Sequence, residues 1–209
     1  MGLTHDIATF IVATGYRDFS REEVQAAKSL ILDALGGMIA GAKEPATAIT
    51  IGFARENGGS GDCGIFGAGM KTSLLNAALA NGTSAHSQEL EAIGLYTGSN
   101  PMTNIPVALN VGEKLKLSGQ AVIEGTILGL EVQTRLGIGG PGSFDRGLSS
   151  IPLYGSMGAA ASAGKMMGMS VVQLQHALGI AIAQSSGQQR QQGSMTHLLE
   201  SGLGCRNGV

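Results

Sequence analysis

Glycine is the residue that most constrains this chain, because 34 of its 209 residues are glycine. That is about 16%, against about 7% in an average protein. There is no tryptophan, aromatic residues make up 4% of the chain, and hydrophobic residues still reach 43%. Since glycine inside a helix costs about 1 kcal/mol relative to alanine, glycines in helical stretches predict close helix crossings, with helix kinks or clearance for a substrate as the alternatives. The clearest of these positions are Gly125, Gly129, Gly155, Gly158 and Gly164.

Capping signals and apolar periodicity predict an all-α fold, an irregular bundle of eight or nine helices. Thr4 is predicted to cap the first helix, and Ser20 with Glu23 forms a capping box for the second. Ile49 and Phe53 are predicted to face the core from the third. The nine predicted helices begin near residues 4, 20, 45, 73, 104, 118, 154, 170 and 195, with a short extended piece at 63–67 and loops at 89–101 and 137–147. Residues 1–209 are therefore expected to form a single helical domain.

Charge and cysteine content exclude several classes of protein. The chain has 13 Lys and Arg against 15 Asp and Glu, without the basic cluster that nucleic-acid binding needs. It has no apolar run suited to a membrane span and no signal peptide at its first residues. Cys63 and Cys205 are far apart in sequence, which favours a reducing compartment. The sequence thus predicts a cytoplasmic protein that binds neither nucleic acid nor membrane.

Most short motifs in the chain carry no chemistry. Residues 137–142 match G-x-G-x-x-G, but a predicted helix rather than a strand precedes them. The four histidines lack a metal-ligand spacing, so neither a metal nor another cofactor is expected. His86, Glu89 and Glu91 lie within six residues directly after a predicted helix. An imidazole and two carboxylates buried together could act in acid–base catalysis.

Several longer segments together resemble one known family. They include Asn-Gly-Thr-Ser-Ala-His at 81–86 followed by an acidic pair, Gly-Leu-Glu-Val-Gln-Thr-Arg-Leu-Gly at 129–137, and Gly-Ser-Met-Thr at 193–196. These segments, with others in the same order along nearly the whole chain, resemble the MmgE/PrpD family, which includes 2-methylcitrate dehydratase, cis-aconitate decarboxylase and iminodisuccinate epimerase. The resemblance implies the large helical domain of that family, with its smaller α+β lid domain absent from this chain. A homodimer, or a partner chain that carries the lid, is then expected.

The resemblance also implies a set of site residues. His86 matches the family histidine, and Glu89 and Glu91 stand at two acidic positions, whereas Ala92 replaces a third. Asn100 and Ser149 stand where the family has histidines, and His197 stands where it has a lysine. The implied catalytic residues are His197, Glu89 and Glu91, and the implied substrate-binding residues are His86, Asn100, Ser149 and Arg206.

Two functions follow from this resemblance. The first is a reaction on a small polycarboxylate of the dehydratase, decarboxylase or epimerase type, with proton abstraction next to a carboxylate, carried out alone or with a second chain. The alternative is a non-catalytic helical subunit, or a truncated fragment, in which the pocket residues are lost.

Overall fold

Residues 2–94 and 100–209, the part of the chain that the computed structural model describes, contain nine α-helices, three short 3-10 helices and one small hairpin. The all-α prediction is confirmed. Within this part, no helix combines the length and apolar character needed to cross a lipid bilayer. The elements are α1 Leu3–Ala13, α2 Arg21–Gly41, α3 Pro45–Asn57, β1 Cys63–Ile65, β2 Met70–Thr72, α4 Leu74–His86, α5 Ile105–Leu115, α6 Gly119–Gly139, α7 Ser150–Met166, α8 Val171–Gln184 and α9 Met195–Gly208.

Serine residues begin the helices where the sequence predicted them. The Ser20 hydroxyl accepts a hydrogen bond from the Glu23 amide at 3.2 Å, and the Glu23 carboxylate accepts one from the Ser20 amide at 2.7 Å. A second capping box, formed by Ser170 and Gln173, begins α8. The predicted cap of the first helix is wrong, because Gly2 precedes α1 and Thr4 lies inside its first turn.

Three helices are longer than the sequence indicated. Helix α6 continues to Gly139, α7 begins at Ser150, and α9 continues to Gly208. Glycine normally favours a helix end, but Gly137 and Gly208 are buried, and tertiary packing overrides their low helix propensity. In the predicted loop at 89–101, residues 89–94 are non-helical, whereas 95–99 lie outside the described residues.

Close helix crossings account for the glycines inside the helices, as the sequence predicted. A Cβ added to Gly158 in α7 would lie 2.8 Å from both the Cβ of Gln133 and the carbonyl oxygen of Gly129 in α6. A Cβ on Gly82 in α4 would lie 2.5 Å from the Cys205 Sγ and 2.9 Å from the Gly202 Cα in α9. Added Cβ atoms at Gly125, Gly155 and Gly164 would also collide with side chains of other residues.

Helices α4 and α7 form the centre of the bundle, with every residue of α4 from Ala77 to His86 buried. Helices α2 and α3 pack against α4, α6 and α8 pack against α7, and α9 packs against both central helices. Because α9 crosses α4 at Gly82 and Gly202, the first turn of α9 lies beside the last turn of α4. This placement brings together side chains that are more than one hundred residues apart.

The outward face of α3 corrects one prediction. Ile49 and Phe53 are 62% and 43% exposed, so the expectation that they face the core is wrong. The buried residues of α3 are mostly small: Ala46, Thr47, Thr50, Ile51 and Ala54. Small side chains let α3 lie close to α4, and this close packing selects the buried face over the larger apolar one.

Candidate active site

Two imidazole rings meet where α4 ends and α9 begins. His86 is the last residue of α4, and its side chain is only 4% exposed. His197 is in the first turn of α9. Their Nε2 atoms are 3.2 Å apart, and the rings meet edge to face with their centroids 4.8 Å apart. Each ring therefore faces the other with its Nε2 atom.

The other nitrogen of His86 contacts a buried carboxylate. Nδ1 of His86 lies against Oε1 of Glu91, and the Asn100 side-chain amide donates to the same oxygen at 3.3 Å. Asn100 is itself held by Gln133, whose amide donates to the Asn100 carbonyl oxygen at 2.8 Å. Burial alone would raise the pKa of Glu91, but the contacts with His86 and Asn100 outweigh it and lower that pKa. Glu91 is therefore held as a carboxylate facing His86.

His197 has carboxylates beside both of its ring nitrogens. Its Nδ1 lies 3.7 Å from Oε2 of Glu200, and its Nε2 lies 3.8 Å from Oε1 of Glu89. The Glu200 carboxylate is the main cause of a raised pKa for His197, and Glu89 and Glu91 add to it although burial opposes it. The protonated form of His197 is thus stabilised by its surroundings.

Glu200 is a site residue that the sequence reasoning missed. Its side chain is 6% exposed, and glutamate is rarely so buried unless it is paired. Burial raises the pKa of Glu200, but His197, the Gln188 amide and the Ser149 hydroxyl outweigh burial and lower it. The Gln188 amide donates to Glu200 Oε1 at 3.1 Å. The available sequence signal was its spacing, since residues three apart share one helix face.

Glu89 lies at the solvent-exposed side of the cluster. Its backbone is in the left-handed region with φ of 48°, in the turn that follows α4, and its amide donates to the His86 carbonyl oxygen at 3.1 Å. Such a conformation is uncommon for a residue other than glycine and costs of order 1–3 kcal/mol. The turn places the Glu89 carboxylate, which is 57% exposed, beside the Nε2 of His197.

Six of the seven residues implied by the resemblance are brought together. His86, Glu89, Glu91 and His197 form the cluster, Asn100 holds its Glu91 end, and Ser149 contacts its Glu200 end. Arg206 is the exception. It lies nine residues beyond His197 on α9, which is roughly 13 to 14 Å along the helix axis.

The cluster has more acidic than basic groups. Glu89, Glu91 and Glu200 surround two imidazoles, and none of the lysine or arginine side chains in residues 2–94 and 100–209 forms an ion pair or hydrogen bond with these carboxylates. The Oε2 atoms of Glu91 and Glu200 are buried without a hydrogen-bond partner in the same part of the chain. The cluster thus has unsatisfied acceptor capacity.

A small cavity adjoins the cluster, whereas a larger one lies elsewhere. The small cavity, of about 230 Å³, is lined by Glu91, Leu90 and Met102 together with one face of α2. The larger one, of about 730 Å³, lies between α1 and α6 and has mainly apolar walls. The pKa values of His197, Glu91 and Glu200 are all shifted, and groups with shifted pKa values cluster at functional sites, so we place the candidate active site at the histidine pair.

Comparison with known proteins gives a consistent family match. Residues 5–209 match the model of the MmgE/PrpD N-terminal domain. Over its whole length the chain is 27% identical to a cis-aconitate decarboxylase of Aspergillus terreus, of which it covers 44%. It is 25% identical to a cis-aconitate decarboxylase-like protein, oryM, of Aspergillus oryzae, of which it covers 45%. The chain therefore spans less than half the length of the curated relatives that it matches.

Proposed function

Since this chain belongs to the MmgE/PrpD family, we propose that it acts on a small polycarboxylate. The proposed reaction transfers a proton at a carbon next to a carboxylate, as part of a dehydration, a decarboxylation or an epimerisation. Two observations support the proposal: the curated relatives are named as cis-aconitate decarboxylases, and the site holds a histidine pair in which each imidazole faces a buried carboxylate.

His197 is the proposed proton acceptor. Glu200 faces its Nδ1, which favours the tautomer with the proton on Nδ1 and the lone pair on Nε2. When the substrate C–H bond breaks, the proton passes to His197 Nε2 and the electron pair stays on the carbon next to the carboxylate. The imidazolium that forms is stabilised by Glu200 and Glu89, whose carboxylates lie beside its two nitrogens.

His86 and Glu89 extend the path of the proton. Because the two Nε2 atoms are 3.2 Å apart, a proton on His197 can pass to His86. Glu89 is partly exposed, so it can exchange protons with water. Among the residues that the structure describes, the Glu91 carboxylate contacts His86 and Asn100, so we assign it a positioning role.

Two of the proposed substrate-binding side chains in the cluster are neutral hydrogen-bond donors. Asn100 and Ser149 stand where the family pattern has histidines, and each lies at one end of the cluster. A neutral donor makes a weaker hydrogen bond to a carboxylate than an imidazolium does. We therefore expect weaker binding of a polycarboxylate than two imidazolium groups would give, and a substrate set that differs from that of the named relatives.

Proton transfer can be tested by deuterium exchange. The protein is incubated in D₂O with cis-aconitate, a citrate-like tricarboxylate or an iminodicarboxylate, and loss of the proton next to a carboxylate is followed by NMR. General acid–base groups contribute about 10²–10⁴-fold, so His197→Gln should slow exchange by that factor. His176→Gln is the matched control, because His176 lies on the exposed face of α8. Unchanged exchange in a folded His197→Gln variant would refute the proposed role.

The assembly and location of the protein are also proposals. We propose that residues 1–209 form one helical domain, which pairs with a second copy or with a chain that carries the lid. Exposed apolar side chains on α2 and α3, among them Leu32, Ile39 and Ile49, support such pairing. Cys63 and Cys205 are both free and buried, which supports a reducing, cytoplasmic location. The mass of the native assembly tests the pairing.

A further inference from the structure

The facing nitrogens of His86 and His197 have the separation of two ligands on one metal ion. Two nitrogens bound to zinc at about 2.05 Å with a tetrahedral angle lie about 3.3 Å apart. The observed separation of the Nε2 atoms is 3.2 Å. We propose that His86, His197 and Glu89 bind a divalent transition-metal ion of the zinc class.

Glu89 supplies the third ligand. Its Oε1 lies 3.8 Å from the Nε2 of His197, and one ligand atom from each of the three residues lies within 4.8 Å of the others. The Glu89 side chain is 57% exposed, so its carboxylate has room to move the roughly 0.5–1.5 Å that brings it to the ligand spacing of a tetrahedral ion. Three protein ligands leave one tetrahedral position open, as in zinc sites that bind an exchangeable water or small molecule.

The groups behind the two imidazoles are those of a metal site. A metal-bound histidine usually donates its other ring N–H to a carboxylate, which fixes the tautomer and the ring orientation. Here Glu91 faces Nδ1 of His86 and Glu200 faces Nδ1 of His197. Both arrangements favour a proton on Nδ1, so that each Nε2 lone pair is available to the same ion.

Charge supports a cation at this position. Three carboxylates lie around the histidine pair, and no lysine or arginine of the described residues pairs with them. Buried charges need compensation because desolvation of an unpaired carboxylate is unfavourable. A divalent ion on the two Nε2 atoms would supply it. Imidazole ligands favour zinc and its transition-metal neighbours over magnesium and calcium, which prefer all-oxygen sites.

Bound metal would regulate the proposed reaction, a consequence that rests on the proposed function. The metal ion and the transferred proton need the same lone pair on Nε2 of His197. Zinc at the site should therefore inhibit proton transfer, and a chelator should restore it.

Direct titration tests the site itself. The purified protein, freed of metal with a chelator, is titrated with Zn²⁺ by calorimetry and with Co²⁺ by visible absorption, which reports coordination geometry. We expect one ion per chain and a tetrahedral Co²⁺ spectrum. Loss of a group that only orients a metal ligand already costs about tenfold in metal affinity. Glu89→Gln removes a ligand itself and should therefore weaken Zn²⁺ binding at least tenfold. His197→Gln should abolish stoichiometric binding, and His176→Gln should leave it unchanged.

Several outcomes would overturn the inference. Absence of stoichiometric Zn²⁺ binding, or equal binding by the parent protein and a Glu89→Gln variant with the same circular dichroism spectrum, would refute the metal site. Glu89 is exposed, so its variant tests the site without disturbing the core. Zn²⁺ binding without deuterium exchange on any substrate would support the metal site and refute the proposed function. Exchange that continues at saturating Zn²⁺ would refute the regulatory consequence alone.

Discussion

The crossing of α4 and α9 at Gly82 offers the most direct link between the glycine content and the site. An alanine Cβ at this position would lie 2.9 Å from the Gly202 Cα and 2.5 Å from the Cys205 Sγ. Carbon atoms pack best at about 3.5–4.0 Å, so the two helices would have to separate by about 0.6 Å or more. Because α4 carries His86 and α9 carries His197, that separation would also disturb the histidine pair.

The expected loss of stability follows from two opposing effects. Overpacking a core costs about 1–3 kcal/mol. The upper half of that range applies because the added Cβ would meet the backbone of Gly202 and the side chain of Cys205, which is fully buried. Replacing a helical glycine by alanine returns about 1 kcal/mol. Gly82→Ala should therefore lower the free energy of unfolding by about 1–2 kcal/mol, and Tm by about 2–8 °C for a chain of this size.

A matched glycine without neighbours provides the control. Gly179 lies in α8 with no atom within 4 Å of an added Cβ, so Gly179→Ala should raise stability by about 0.5–1 kcal/mol. Urea unfolding followed by circular dichroism measures both variants. Zn²⁺ titration and deuterium exchange then report on the histidine pair, and both should weaken in Gly82→Ala alone. If both substitutions stabilise the protein, the close-contact explanation is wrong.

Two further predictions concern groups outside the site. Burial raises the pKa of Cys63 to about 11, so this thiol should resist a disulfide reagent at pH 8 in the folded protein and react after unfolding in urea; rapid labelling of the folded protein would contradict this. The pKa of Glu113 is lowered, because its hydrogen bonds with the Gly64 amide and Lys71 outweigh burial. A lowered pKa in the folded state stabilises the protein above the ordinary carboxyl pKa of about 4.3 and loses this effect as pH falls through the folded-state pKa. Glu113→Gln should therefore destabilise the protein at pH 7 and have little effect at pH 3, and equal effects at both pH values would refute the assignment.

Local signals in the sequence predicted the helices well. The capping boxes at Ser20 and Ser170 are complete within four residues, and no distant contact is needed to form them. The orientation of α3 could not be predicted in the same way. Periodicity locates an apolar face that includes Ile49 and Phe53, but the helix buries its face of smaller residues because those allow close approach to α4.

The candidate site was predictable only in part, because its members come from distant segments. His86, Glu89 and Glu91 are adjacent in sequence, and the family resemblance adds Asn100, Ser149 and His197. The expectation that the chain binds no metal was based on the absence of local ligand spacing. His86 and His197 are 111 residues apart, so no spacing rule could indicate that their Nε2 atoms meet. Glu200 was missed although it lies three residues from His197, because its burial also depends on Gln188 and Ser149, which come from other segments.

Three positions at which the chain departs from the implied family pattern, Asn100, Ser149 and His197, all change the charge of the site in the same direction. The resemblance implies that Asn100 and Ser149 stand where the family has histidines, and each of them contacts a buried carboxylate, Glu91 or Glu200. A lysine at position 197, with an ordinary pKa of about 10.4, would be a cation at pH 7, whereas the ordinary pKa of an imidazole is about 6.5. On that resemblance, the site has fewer groups that carry positive charge, while Glu89, Glu91 and Glu200 surround the histidine pair. A metal ion on the two imidazoles restores that charge, and a proton on His197 restores part of it. A zinc ion and a proton compete for the Nε2 lone pair of His197. Zinc titration combined with deuterium exchange therefore distinguishes a metal ion from a proton as the source of that charge.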